Sequence, residues 1–153
     1  MRLWRLVKTK YVSTAFDGEG ARLHGARWTS PGTRAAYASS NSALAVLELL
    51  VHMTGGGGIL PGYSLVTATL PDTLVDDMPA ADIPADWDSS PVPPAVQAIG
   101  DAWIRSGRSL ALRVPSAVVE GSYNILINPE QADFVQLVVE SSKPFAFDPR
   151  LLR

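Results

Sequence analysis

From Ser42 to Val51 the chain reads SALAVLELLV, and Glu48 is the only charged residue in that run. A helix with apolar residues on every side is expected to be enclosed. A lone carboxylate inside such an enclosure loses several kcal/mol of hydration unless it is paired or protonated. Two explanations stay open. Either Glu48 reaches a cleft edge and pairs with an arginine merely to satisfy itself, or the cleft is a binding site and Glu48 faces a ligand. Upstream, GARW supplies Arg27, whose planar fork can grip a carboxylate or phosphate through two parallel hydrogen bonds. Trp28 and Tyr37 add aromatic faces of the kind that attract a cationic ring such as nicotinamide. An Arg, a Tyr and a Glu from three consecutive elements can thus line one cleft.

Further candidates lie downstream in LRVPSAVVEGSYNILINPEQADF: Ser116 after a proline, Ser122, and Asn124 and Asn128 in an apolar frame. PS and NP are also ordinary turn dipeptides. A serine-hydrolase reading fails, because there is no GxSxG and neither His24 nor His52 sits in a triad motif. The two histidines lack the HExxH spacing of a zinc site. With no cysteine, thiolate metal sites and disulfides are excluded, and no metal is expected. GGGG at 55–58 is not followed by GKS or GKT, so it is no phosphate loop.

The elements that must position these residues follow from patterning. RLWRLV, RAAYAS, GYSLVTATL, SLALRVP, YNILIN and FVQLVVE read as strands, with a short one at LVDDM. A helix is expected over roughly 42 to 53, with Ser39, Ser40, Asn41 and Ser42 as N-cap choices and GGGG as a mobile loop at its end. PAVQAIGDAWIRSG predicts a second helix with Val96, Ile99 and Trp103 on one face, Pro94 near its start and Gly107 at its end. Gly18, Gly20 and Gly25 read as turns. Five or six short strands and two helices, without βαβ alternation, give the fold class α+β. The acidic, proline-rich stretch at 71–94 is expected to be an internal connection of a single domain spanning 1–153, since neither flank is large enough to fold alone.

Charge narrows the partners. The net charge of -2 gives no global pull toward nucleic acid or anionic membrane. Seven basic residues precede position 35 and the next is Arg105, with the acids Glu48, Asp72, Asp76, Asp77, Asp82, Asp86, Asp88 and Asp101 lying in the gap. The basic N-terminal quarter suits an anionic ligand and the acidic middle repels one. No apolar run approaches the roughly 20 residues of a membrane span. MRLWRLVKTKY lacks the apolar core and cleavage site of a signal peptide, so the cytoplasm is the expected location.

In order along the chain, RLWR, GARW, the Tyr37 strand, LELLVH, VPSAVV, NILINP and FAFDPRLL resemble the RES domain family, named for its Arg, Glu and Ser. The resemblance implies an ADP-ribosyltransferase-like fold in a split or mixed sheet. It implies the toxin of a bacterial toxin–antitoxin pair that consumes NAD+ as substrate, by hydrolysis, by phosphorolysis or by transfer of ADP-ribose to a protein. The implied partner is an antitoxin carrying a helix-turn-helix DNA-binding domain, in a homodimer or a hetero-oligomer with that antitoxin. Carried over, the arginine is Arg27, the tyrosine Tyr37, the glutamate Glu48 and the serine Ser116, with Ser122 as the alternative serine and Asn124 as the asparagine of NILINP. Where the family often continues NP toward His-Pro, this chain has Gln131 and Ala132.

These residues suit one chemistry. Cleavage of the nicotinamide–ribose bond builds positive charge on ribose, as glycoside cleavage does, and a nearby carboxylate counts most at that moment. The expected roles are Glu48 on the ribose, Arg27 on phosphate or on Glu48, Tyr37 stacked on nicotinamide and Ser116 on ribose or amide. Two other readings stay open: a module that binds nucleotide without turnover, and an interaction protein that docks through 71–94.

Overall fold

The computed structural model describes residues 1–53 and 62–152, so the GGGG loop lies outside the described residues. Alternating side chains in RLWRLVK form β1 (Arg2–Lys8), which pairs antiparallel with β3 (Tyr63–Thr69) along its whole length. β3 in turn pairs with β7 (Val138–Phe145). β2 (Ala36–Ser39) pairs with β6 (Tyr123–Ile127), β6 with β5 (Ala111–Pro115), and β5 with β4 (Val75–Asp77), the last pair being parallel. The result is one seven-stranded mixed sheet in the order β4-β5-β6-β2-β1-β3-β7. The α+β class expected from the sequence is the one observed.

The join between the two halves of this sheet matters most. β1 meets β2 in register at a single pair, Trp4 opposite Ser39. The seam between β1 and β2 is therefore loosely closed, whereas every other neighbouring pair of strands is laddered over three residues or more. Two helices cover the same face of the sheet, one on each half. α2 (Ser42–Leu50) packs Val46, Leu49 and Leu50 against Leu6 of β1, Leu65 of β3 and Phe147. α3 (Pro94–Ser106) packs Val96 and Trp103 against Leu112 and Val114 of β5 and Leu126 of β6, with Trp28 between. The opposite face buries Leu3, Val7, Ala36, Ala38, Val66, Ala111 and Ile125 under Phe16 and Leu110. A cleft is left over the seam, between the helices.

Local chemistry explains the helix limits. Among the serines and Asn41, it is Asn41 that caps α2, its Oδ1 accepting from the Leu44 N–H at 2.8 Å. α3 begins on Pro94 and ends at Gly107, which takes the left-handed φ of 58°. Gly100 is where α3 touches the Trp28 backbone. A Cβ there would lie 1.8 Å from the Trp28 carbonyl oxygen, so only glycine allows the approach.

Four expectations need correction. Among the described residues seven strands form rather than five or six, and a short third α-helix accompanies the two main ones. The extra helix, α1 (Glu19–His24), lies between Gly18 and Gly25, where six residues with an internal glycine are too short to show a helical period. α2 ends at Leu50, short of 53, and is not enclosed all round: Leu47 is 38 % exposed and Val51 52 %, because the sheet covers one side only. FVQLVVE is not a strand throughout. Residues Ala132–Gln136 form a 3-10 turn and β7 starts at Val138. Side chains hold that turn, since the Gln131 Oε1 accepts from the Asp133 N–H and the Gln136 amide donates to Asp133 at 2.8 Å.

Candidate functional site

The cleft over the seam is a cavity of about 990 Å³. β1 contributes Trp4, Arg5 and Leu6, β2 contributes Tyr37, Ala38 and Ser39, and β6 contributes Asn124. One wall is α2, with Ala45, Glu48 and Leu49 continuing to Val51 and His52. The other is the run from His24 to Trp28, with Gln97 of α3 and Ser90 and Val92 from the end of the acidic segment. The single α2 carboxylate thus opens on this cavity.

Glu48 is half-buried, and its two oxygens differ. Oε1 accepts the Ser116 hydroxyl at 2.7 Å and the Asn124 Nδ2. Oε2 has no hydrogen-bond partner among the described residues. Glu48 is therefore satisfied by neutral donors, and no arginine pairs with it there. Ser116 sits just behind the carboxylate, buried, where its Oγ also accepts the N–H groups of Val118 at 3.0 Å and Val119 at 3.1 Å. Those two acceptances turn its O–H toward Glu48. Of the two candidate serines, only Ser116 reaches Glu48. Ser122 instead accepts the Ser116 N–H at its backbone carbonyl, 2.9 Å away.

Tyr37 points its ring toward the cavity and spends its hydroxyl on the protein. The oxygen lies 2.9 Å from the Thr29 hydroxyl and accepts from the Trp28 N–H at 3.3 Å. Burial pushes its phenol well above the ordinary range, so it stays neutral. Trp28 is only 2 % exposed and stacks on Trp87 with ring centroids 5.6 Å apart, so most of its surface serves packing. Arg27 is tethered as well. Its NH1 donates to the carbonyls of Trp87 at 2.7 Å and Ser89 at 3.1 Å, which fastens the acidic segment over one side of the cavity. Its remaining N–H groups are left for another acceptor. Asn128 lies elsewhere, buried, bridging the Ile104 carbonyl and the Glu130 N–H.

Four cavity residues escape a motif reading. Arg5 reaches across the seam, and its NH1 donates to the Tyr37 carbonyl. Its Nε is buried with no partner among the described residues, and desolvation lowers its pKa to about 10 despite the opposing pull of Asp17. Arg5 counts among the residues lining the cavity, and a buried cation beside a cavity is what an anionic ligand would satisfy. The signal was present in β1, where alternation places Arg5 between the core residues Leu3 and Val7. Ser39, opposite Asn124 in the ladder, is the second. His24 and His52 line the cavity too, and no spacing in the sequence announces that.

Comparison with known proteins bears on the family and the fold. The chain is 36% identical over 155 residues to "Toxin Res" of Photorhabdus laumondii subsp. laumondii, covering 100% of this chain and 98% of that one. It is 37% identical to "Toxin Res" of Yersinia enterocolitica, over 99% of each chain. It is 34% identical to the "Prs ADP-ribosylating toxin" of a Sphingobium species, over 98% of this chain and 96% of that one. Its fold matches a chain in the crystal structure of the M. tuberculosis MbcT–MbcA toxin–antitoxin complex, with a TM-score of 0.68 at 20% identity, covering 99% of this chain and 86% of that chain. The model of the RES domain matches residues 2–148, and on that match and those full-length relatives this chain belongs to the RES domain family.

Proposed function

We propose that this chain is the toxin of a bacterial toxin–antitoxin pair and that it breaks the nicotinamide–ribose bond of NAD+, passing ADP-ribose to an acceptor. The observation that carries the reading is Glu48, held at one oxygen by Ser116 and Asn124 while the other has no partner among the described residues, on the wall of a cavity of about 990 Å³. Supporting it are relatives named as toxins, one of them as an ADP-ribosylating toxin.

In this reading the spare donors of Arg5 and Arg27 bind the pyrophosphate, and the Tyr37 ring stacks on the cationic nicotinamide. Trp28 stiffens the wall beside it. As the C–N bond breaks, its electron pair leaves with the nicotinamide nitrogen, which becomes neutral, and positive charge moves to the ribose. Glu48 Oε2 accepts from a ribose hydroxyl and the carboxylate stabilises that charge; its two neutral donors fix it without cancelling it. An acceptor oxygen then bonds to the ribose carbon and releases its proton to solvent. Water gives ADP-ribose, phosphate gives its phosphorylated counterpart, and a protein side chain gives an ADP-ribosylated target. The working unit is the single domain 1–153, acting in the cytoplasm and held in check by an antitoxin with a helix-turn-helix domain. It works as a homodimer or within a hetero-oligomer with that antitoxin. No step uses a metal.

The test is nicotinamide release from NAD+ by the purified chain beside Glu48→Gln, in buffer, with phosphate, and with bacterial lysate and labelled NAD+. Release by the wild type alone is expected, and the arm that supports it names the acceptor. Absence of release in all three arms overturns the reading.

A further inference from the structure

Ser39 lies opposite Asn124 across the β2–β6 ladder, and its hydroxyl donates to the Asn124 Oδ1 at 2.9 Å. Asn124 in turn donates through Nδ2 to Glu48 Oε1. Ser39 is 4 % exposed and lines the floor of the cavity next to Asn124. Nothing in the sequence singles it out.

We propose that Ser39 is a positioning residue for Glu48, acting through Asn124. An ionised carboxylate only accepts hydrogen bonds, so Asn124 must present its NH2 to Glu48 and its carbonyl away from it. That carbonyl accepts from the Ser39 hydroxyl. The chain of donors therefore runs one way, from Ser39 to Asn124 to Glu48. Each bond polarises the next. With the Ser39 hydroxyl in place, the amide cannot swing toward the cavity, and Oε1 keeps both of its donors. The carboxylate plane is then fixed, and Oε2 is the oxygen offered to the ribose. Ser116 alone cannot do this, because a single hydrogen bond leaves the carboxylate free to rotate about it.

This inference rests on the reading that Glu48 is the working carboxylate. The test measures nicotinamide release from NAD+ by Ser39→Ala, Asn124→Ala, the double variant, Ser39→Thr and Glu48→Gln. Thermal melting of each shows that it folds. Ser39→Ala is expected to lower kcat by about tenfold, the scale of one hydrogen bond, and to leave KM within about twofold. Ser39→Thr, which keeps the hydroxyl, restores most of the rate. The double variant is no slower than Asn124→Ala alone, since a residue that acts only through Asn124 has nothing left to act on. A full rate in Ser39→Ala, with Glu48→Gln dead, overturns the positioning role and leaves the Glu48 reading intact. So do additive losses in the double variant, or a loss confined to KM, which marks Ser39 as a direct substrate contact. Turnover by Glu48→Gln at the wild-type rate removes the reading itself.

Discussion

Two carboxylates in this chain each sit beside a serine, and they are treated differently. Asp101, on α3, is 8 % exposed, and Ser30 serves both of its oxygens: the N–H donates to Oδ1 at 3.0 Å and the hydroxyl donates to Oδ2. Glu48, on α2, has two donors on Oε1 and none on Oε2 among the described residues. Asp101 is saturated and ties α3 to the loop before β2. Glu48 is half-saturated and borders the cavity. On the proposed function, the difference separates an acid that holds the fold from one that faces a ligand, which burial alone does not do.

The comparison breaks first at these two positions. Glu48→Gln keeps the shape and both neighbours but removes the charge, so nicotinamide release falls by about a thousandfold while the melting temperature holds. Asp101→Asn should do the reverse. It weakens charged hydrogen bonds in a buried place and lowers unfolding free energy by about 1–3 kcal/mol, with activity per folded molecule within about tenfold. Urea denaturation and the release assay, run on both variants, check the pair. Equal effects on both measurements would erase the distinction.

The two cavity arginines sharpen it. Arg27 NH1 is engaged by the Trp87 and Ser89 carbonyls, whereas Arg5 keeps an unpartnered buried Nε. Arg5 is thus held at a cost to the fold. Its pKa in the folded state, about 10, lies below the ordinary guanidinium value of the unfolded chain. The folded state therefore binds fewer protons than the unfolded state between those values. The penalty is complete below pH about 10 and is relieved as pH rises from there toward the ordinary guanidinium value. Arg5→Met removes the charge at every pH. Its stability at pH 8 is expected to equal or exceed the wild type's, and the wild type should gain on it above pH 10. In the Glu48→Gln background, which cannot consume the ligand, Arg5→Met should weaken NAD+ binding by about ten- to a hundredfold, measured by calorimetry. A large loss of stability with unchanged affinity would make Arg5 a structural residue instead.

These contrasts also show what was legible in the chain. Strand alternation in RLWRLVK and GYSLVTATL, and the proline and glycine limits of α3, mark local structure, and each is found in place. Glu48 was visible because a charge in an apolar helix is costly wherever the helix packs. What could not be read is long-range. The seam between β1 and β2 follows from a register that meets only at Trp4 and Ser39. The tether from Arg27 to Trp87 joins residues 60 positions apart. Ser39 looks like any serine before a helix until β6 brings Asn124 opposite it. The short helix α1 and the 3-10 turn before β7 were missed for another reason. Both depend on single caps or side-chain bonds rather than on a repeating apolar period.

The smallest contrast is between two serines six positions apart. Ser116 donates to Glu48 and accepts two backbone N–H groups, so its hydroxyl is locked from three directions. Ser122 touches this arrangement through its backbone, its carbonyl accepting from the Ser116 N–H and its N–H donating to the Val119 carbonyl, which any residue but proline supplies. Ser116→Ala removes one of the two donors on Oε1 and leaves the Val118 and Val119 N–H groups without their acceptor. It is expected to lower kcat by about tenfold and to lower the melting temperature by a few degrees. Ser122→Ala should change both by little, with kcat within about twofold. The release assay and thermal melting decide it. If Ser122→Ala proves the more damaging, then the substrate, once bound, must draw the turn between β5 and β6 into the cavity, and the serine that matters is set by that movement rather than by the arrangement around Glu48.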